Sequence, residues 1–182
     1  MKLATLRNGS IDGELIVVSK DLNYFVSASK VSCTLQHALD NWNVVSEKLK
    51  TLYIELNKGK GQKNKLNFSN LLAPMPRAYQ WADGSAYVNH VSLVRQARGV
   101  EMPDSFWTDP LMYQGGSDDF TPPNSPILVS NLEWGVDFEA EIAVITDYIP
   151  MGSNLKVIED KILLVMLAND VSLRNLIPDE LS

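Results

Sequence analysis

The stretch EWGVDFEAEIAVIT, residues 133–146, alternates acidic and apolar side chains with a period of two. This alternation predicts a β-strand, because successive side chains on a strand point to opposite faces. One face of the strand is apolar from Trp134 to Val144 and would anchor it in a core. The other face carries four acids with no lysine or arginine between them: Glu133, Asp137, Glu139 and Glu141.

This row of acids could be an ordinary solvated face or a binding site for a cation. Side chains two positions apart on a strand are roughly 7 Å apart, and two carboxylates at that distance repel by about 2 kcal/mol at an effective dielectric near 20. An exposed edge dissipates that repulsion in water. Carboxylate oxygens are also the preferred ligands of Mg²⁺, Ca²⁺ and Mn²⁺. Because no base relieves the row and its opposite face is strongly apolar, we favour a hard-cation site.

Three residues elsewhere in the chain could complete such a site. Asp170 ends the apolar run ILLVMLAND, where a lone charge is costly unless it is paired or ligated, although it could equally be a cap or turn residue. Asp83, in WADGSAY, is more simply interpreted as a turn aspartate. His90 could act as a general base near pH 7, whereas His37 falls in a predicted helix and suits a surface or packing role.

The composition bounds the class of protein. The chain has 182 residues, of which 45% are hydrophobic and 21% charged, as expected for a soluble globular protein of one domain, or of one domain with a small appendage. Its net charge of −6 argues against a nucleic-acid partner. Cys33 is the only cysteine, which excludes an intrachain disulfide and fits a reducing compartment. No apolar run is long enough to span a bilayer, so we expect no membrane partner and a cytoplasmic location.

The residue pattern of the chain changes near residue 70. The first part predicts short strands at 1–7, 14–19 and 23–29, then a helix over 35–52. We expect Thr34 to cap this helix, and Asn41 or Asn43 could split it. The second part predicts an ordered loop at 102–126, strands at 126–130 and 133–146, a short helix at 154–161 and a buried strand at 162–170.

Four segments of the second part together resemble the fumarylacetoacetate hydrolase family. PRAYQWADGSAYVNHVSLVRQARG is similar to the opening active-site segment of that family, and LMYQGG to its substrate-contacting tyrosine segment. DFEAEIAVIT is similar to the strand with two glutamate ligands, and ANDVSLRN to the segment with the fourth acidic ligand. The match runs from about Leu71 onward, and the earlier residues resemble the smaller N-terminal domain of bacterial members. The resemblance therefore implies domains at 1–70 and 71–182.

The same resemblance assigns roles to particular residues. It implies four metal ligands and places a catalytic histidine seven positions after the first of them, at His90. Tyr113 and Ser85 would contact the substrate, whereas Glu133 and Asp137 receive no role. The implied ion is Mg²⁺ or Ca²⁺, with Mn²⁺ as a further option. The implied ligands are Asp83, Glu139, Glu141 and Asp170.

The resemblance also implies a fold and an activity. The fold would be α+β and mainly β, a mixed β-sandwich roll preceded by a small α+β domain. The activity would be metal-dependent hydrolysis of a carbon–carbon bond in a 1,3-diketo acid, above all fumarylacetoacetate to fumarate and acetoacetate in tyrosine and aromatic catabolism. The alternatives are a decarboxylase of oxaloacetate or an isomerase on the same scaffold, or a non-catalytic cation-binding fragment. A homodimer is expected.

Family members extend well beyond this length, which raises a further expectation. A catalytic lysine is expected just after NLIPDELS, and the acid that partners the histidine and the closing strands of the roll would follow. The resemblance therefore implies the N-terminal part of a longer enzyme. On that hypothesis the isolated chain would hold the ligands but turn substrate over very poorly.

Overall fold

The computed structural model describes residues 1–97, 99–109 and 111–177. Over these residues the chain combines four α-helices with small antiparallel sheets, so the predicted mixture of helix and strand is confirmed. The sandwich roll and the domain boundary near residue 70 stay predictions. The chain forms two compact units, Met1–Ser125 and a second that begins at Pro126, and each is described by itself.

A four-stranded antiparallel sheet carries the core of the first unit. In sheet order its strands are β1 (Lys2–Leu6), β2 (Glu14–Val18), β3 (Tyr24–Ser27) and β4 (Asn64–Lys65). The first three confirm the strands predicted for this region. Four residues of β2, from Leu15 to Val18, are at most 3% exposed. On one face of β2 the buried cluster comprises Ile16, Val18, Leu66 and Leu71.

Two helices follow the sheet, α1 (Leu35–Asp40) and α2 (Trp42–Asn57). The predicted cap is confirmed, because Thr34 Oγ1 accepts a hydrogen bond of 3.1 Å from the His37 amide. The predicted split falls at Asn41, whose side chain donates to the His37 carbonyl at 3.0 Å. In the described part of the chain, no helix has both the length and the apolarity needed to cross a membrane.

Gly13 makes a close backbone approach in the first unit. Its φ is +60°, and a Cβ atom there would lie 2.6 Å from Thr5 Cγ2 and 2.7 Å from the Leu6 carbonyl oxygen. Thr5 is fully buried, and its hydroxyl donates to the Pro74 carbonyl at 2.6 Å. Neither neighbour can move aside cheaply, so the position requires glycine.

We expect Gly13→Ala to lower the free energy of unfolding by about 3 kcal/mol, since the left-handed conformation and the overpacking each cost about 1–2 kcal/mol. Urea unfolding followed by circular dichroism measures the loss. Gly59→Ala is the matched control, because Gly59 has a φ of +70° and nothing within 4 Å of its Cβ position. The control should lose about 1 kcal/mol, and equal losses in the two variants would contradict the steric argument.

The rest of the first unit carries less regular structure. Strands β5 (Ala82–Gly84) and β6 (Met112–Gln114) pair antiparallel, and α3 (Val88–Ala97) lies between them in the chain. The predicted loop at 102–126 contains β6 and a 3-10 turn at Asp104–Trp107. Trp81 packs against Tyr113 and Phe120 with ring centroids 5.6 and 5.5 Å away. These ring contacts order a segment that has little repetitive structure.

A long antiparallel ribbon forms the second unit. Its strands are β7 (Val136–Thr146) and β8 (Ile162–Leu173), joined through the short helix α4 (Leu155–Asp160). The predicted strand at 133–146 is confirmed from Val136 to Thr146, and the predicted short helix is confirmed. Asn154 caps α4, its side chain accepting a hydrogen bond from the Val157 amide at 3.1 Å.

Three predictions for the second unit are wrong. Residues 126–130 form no strand, because PILVS has no strand beside it to pair with among the described residues. Strand β8 does not end at Asp170 but continues to Leu173, and none of its residues is fully buried. The apolar face of β7 is not anchored in a core either, since Phe138 is 70% and Ile142 75% exposed. The buried apolar residues of the described chain all lie between Leu15 and Ala73.

Candidate metal centre

A row of carboxylates lies along one face of the β7–β8 ribbon. The register pairs Glu139 with Asp170 directly across the two strands, so both side chains point to the same face. Glu141, two positions further along β7, shares that face. A carboxylate oxygen of Glu141 lies within 4.8 Å of one from Asp170. The ribbon therefore brings three of the four predicted ligands to one face.

Arg174 offsets one of the negative charges at one end of this row. Its Nε donates to Asp137 Oδ2 at 3.1 Å, and its Nη2 donates to Glu139 Oε1. The positive charge that β7 itself lacks thus comes from the residue that follows β8. Arg174 was not predicted as a partner of the row, although it lies only four positions after Asp170 in the sequence. Asp137, which had no assigned role, is an ion-pair partner of Arg174.

Glu133 does not belong to the row. It lies in a 3-10 turn, Leu132–Trp134, which Asn131 caps by accepting the Glu133 amide at 2.9 Å. Gly135 then takes a φ of +67° and starts the strand in a new direction. The period-two pattern was correct from residue 136 onward and failed before the glycine. The predicted face of four acids therefore has three acids from β7 and a fourth, Asp170, from β8.

A second ion pair lies at the other end of the ribbon. Lys161 Nζ donates to Asp147 Oδ2 at 2.8 Å, and this hydrogen bond lowers the pKa of the Asp147 carboxyl. The pair sits beside the last residue of β7 and the first of β8. This ion pair resembles that of Arg174 with Asp137, but it lies outside the carboxylate row.

The remaining predicted site residues belong to the first unit. Asp83 lies on β5 directly opposite Tyr113 on β6. Ser85 follows β5, and its amide donates to the Leu111 carbonyl at 2.9 Å. Tyr113 is 58% exposed and meets the Trp81 ring edge-on. Asp83, Ser85 and Tyr113 are thus held close together by one short strand pair.

His90 lies in the first turn of α3 and is half-buried. The helix at His90 was not predicted from the sequence. The signal that could have found it is the spacing of Val88, Val91 and Val94, which recur every three residues. A helix fixes the backbone of His90 more firmly than a loop would, which suits a residue that must present its ring in one direction.

The ribbon carboxylates fit a hard divalent cation by their chemistry. Glu139, Glu141 and Asp170 offer only carboxylate oxygens, which Mg²⁺, Mn²⁺ and Ca²⁺ prefer. Two of these side chains already approach within 4.8 Å across the strands, a separation that one ion can bridge. The donor set therefore suits the kind of ion that the family resemblance implies.

Two family models match the chain, one after the other. The model for fumarylacetoacetase N-terminal domain 2 matches residues 1–77. The model for the fumarylacetoacetate hydrolase C-terminal domain matches residues 80–182, which is more than half of the chain. A search of curated proteins found no match. By the two consecutive matches, the chain belongs to the fumarylacetoacetate hydrolase family.

Proposed function

We propose that this chain acts as a metal-dependent hydrolase of a carbon–carbon bond in a 1,3-diketo acid, with fumarylacetoacetate as its substrate. Family membership indicates an enzyme with hydrolase- or decarboxylase-type chemistry. The observation that supports a metal-dependent reaction is the close approach of Glu141 and Asp170 across the ribbon. That pair is where we place the metal.

Two carboxylates this close repel each other. At 4.8 Å, the greatest separation of the nearest oxygens of Glu141 and Asp170, two negative charges repel by about 3 kcal/mol at the effective dielectric of about 20 found near protein surfaces. A bound divalent cation converts this repulsion into two attractions. The ribbon holds both side chains in place before the ion arrives, because an 11-residue strand pairs with a 12-residue strand along their length.

We propose two further ligands, Glu139 and Asp83. The position of Glu139 supports its role as a ligand, because it lies directly opposite Asp170 on the same face. Asp83 is proposed on sequence grounds, since its spacing of seven residues to His90 matches the opening active-site segment of the family. All four donors are carboxylates, so we propose Mg²⁺ or Ca²⁺ as the resident ion, with Mn²⁺ as a substitute.

The reaction assigns one task to each group. A divalent cation at the carboxylates would polarise the carbonyl group of the diketo acid. His90 would accept a proton from water on a ring nitrogen, and the water oxygen would add to the carbonyl carbon. The bond from that carbon to its neighbour then breaks, and the electron pair leaves with the neighbour. His90 would return the proton to the leaving carbon, so that water is consumed and two acids are released.

Substrate binding falls to the β5–β6 pair. We propose that the Tyr113 hydroxyl and the Ser85 hydroxyl orient the carboxylate and keto groups of the substrate. The Trp81 ring, 5.6 Å from Tyr113, would limit the directions in which the phenol can point. The net charge of −6 supports a small-molecule substrate over a nucleic acid. From the family resemblance alone we also propose a homodimer.

The proposal is tested by following loss of diketone absorbance from fumarylacetoacetate with and without added Mg²⁺. We expect turnover to be slow but to depend on the ion, with loss of at least 99% of it after EDTA treatment and recovery with Mg²⁺ or Mn²⁺. Oxaloacetate is the comparison substrate, monitored by CO₂ release, and we expect little consumption. Metal-independent turnover would contradict the proposal, and faster loss of oxaloacetate would favour a decarboxylase instead.

A further inference from the structure

Arg174 holds two neighbouring acids of the carboxylate row at once. Its Nε donates to Asp137 and its Nη2 to Glu139, and these acids are two positions apart on β7. The Arg174 side chain is 30% exposed and that of Glu139 20%. Arginine suits this geometry because its donors form a rigid planar fork, which lysine lacks. One side chain therefore fixes the orientation of two carboxylates.

The backbone around Arg174 is itself anchored. The Arg174 amide donates to the Gly135 carbonyl at 2.9 Å, and the Asn175 side chain donates to the Glu133 carbonyl at 2.8 Å. A Cβ atom on Gly135 would lie 2.9 Å from the Asn175 amide group, so this close approach needs the glycine. The 3-10 turn that begins at Arg174 is thus tied to the start of β7. The guanidinium of Arg174 therefore meets the carboxylate row from a backbone position that hydrogen bonds hold in place.

We propose that Arg174 is a positioning residue for the metal centre, which orients the Glu139 carboxylate and thereby raises the affinity for the cation. The inference rests on the proposed function, because it assumes that the ribbon carboxylates bind a metal. Arg174 would act through Glu139 and would not contact the ion. Neither the sequence pattern nor the family match assigns it this task.

Charge and orientation make opposite predictions for Arg174. As a bare positive charge, it would repel a cation, and its removal would tighten metal binding. Asp137 cancels that charge, however, since one guanidinium and two carboxylates leave a net charge of −1 on Asp137, Arg174 and Glu139 together. The charge of Glu139 therefore stays available to the cation, while its side chain is already ordered. Ordering it in advance removes an entropy cost that binding would otherwise carry.

The test measures Mn²⁺ affinity of the full chain by calorimetry. We expect Arg174→Gln to weaken binding about 10-fold, as loss of an outer hydrogen-bond partner typically does, and Arg174→Lys to fall between that variant and the wild type. Lys161→Gln is the matched control, because it removes the same charge from the ion pair at the other end of the ribbon. We expect the control to bind Mn²⁺ as the wild type does.

A fourth variant keeps the proposal testable if Arg174→Gln fails to fold. Asp137→Asn leaves Arg174 and its backbone contacts in place but removes the charge that balances the guanidinium, so we expect weaker Mn²⁺ binding than in the wild type. Unchanged or tighter binding in Arg174→Gln or in Asp137→Asn would overturn the positioning role. A wild-type chain that binds no Mn²⁺ would overturn the proposed metal site as well, and the two failures are thereby distinguished.

Discussion

Replacement of Glu141 by Gln together with Asp170 by Asn should weaken Mn²⁺ binding by at least about 1,000-fold, because each lost ligand costs more than the 10–100-fold typical of an outer partner. The amides keep the shape of the carboxylates but lose the charge and one oxygen donor each. The ribbon should persist, since β7 and β8 pair through backbone hydrogen bonds that neither substitution touches. The loss would therefore report on the site and not on the fold.

Calorimetry with Mn²⁺ measures the affinity, and thermal unfolding gives an independent measurement. With free Mn²⁺ at 100 times its Kd, the wild type should gain about 2.7 kcal/mol of stability from binding, and the double variant should gain nothing. The matched control is Glu133→Gln with Asp147→Asn, which makes the same chemical changes in the same unit but outside the carboxylate row. If the double variant bound Mn²⁺ like this control, Glu141 and Asp170 would not be the ligands.

Local signals predicted the strand that carries the site. From residue 136 onward a period of two separates acids from apolar residues, and β7 follows it to Thr146. The N-cap at Thr34 was predictable for the same reason, since its side chain bonds to an amide only three residues away. The partnership of Glu141 with Asp170 was not local. It depends on the pairing of β7 with β8. From the sequence, Asp170 was a candidate ligand only as a lone acid at the end of an apolar run and through the family resemblance.

What the sequence could not predict depends on long-range pairing. Arg174 reaches Asp137 and Glu139 across 37 and 35 residues, and only the register of the ribbon brings them together. The acid row therefore looked unrelieved when the strand was considered alone. The strand predicted at 126–130 failed for a related reason, because β-prone residues form a strand only beside a partner.

The apolar face of the ribbon shows a different limit. Alternation correctly placed Phe138 and Ile142 on one face, but it was wrong to infer burial, as both are at least 70% exposed. A hydrophobic period determines which side chains share a face and not what covers that face. The carboxylate face is the less exposed one, with Glu139, Ala143 and Ile145 all half-buried. Partial burial strengthens electrostatic attraction to a cation, so the proposed metal site lies on the more favourable side of the ribbon.

His90→Ala should lower kcat for hydrolysis of the diketo acid by about 100- to 10,000-fold, the usual contribution of a general base. The affinity for Mn²⁺ should stay within about twofold of wild type, because an imidazole that handles the proton is no ligand of the ion. The fold should tolerate the change, since His90 is only half-buried and alanine favours a helix more than histidine does. Steady-state kinetics and calorimetry on the same preparation separate these effects.

The second histidine of the chain is the matched control. His37 lies on α1, where its Nδ1 shares a hydrogen bond of 2.8 Å with Ser32 Oγ, so His37→Ala should cost some stability but leave kcat within twofold. Added imidazole should restore part of the activity of His90→Ala, because a free base can replace the missing proton acceptor. Wild-type turnover in His90→Ala would remove His90 from the mechanism. Loss of Mn²⁺ together with turnover would instead make His90 a metal ligand, since a base that only moves a proton leaves the ion bound.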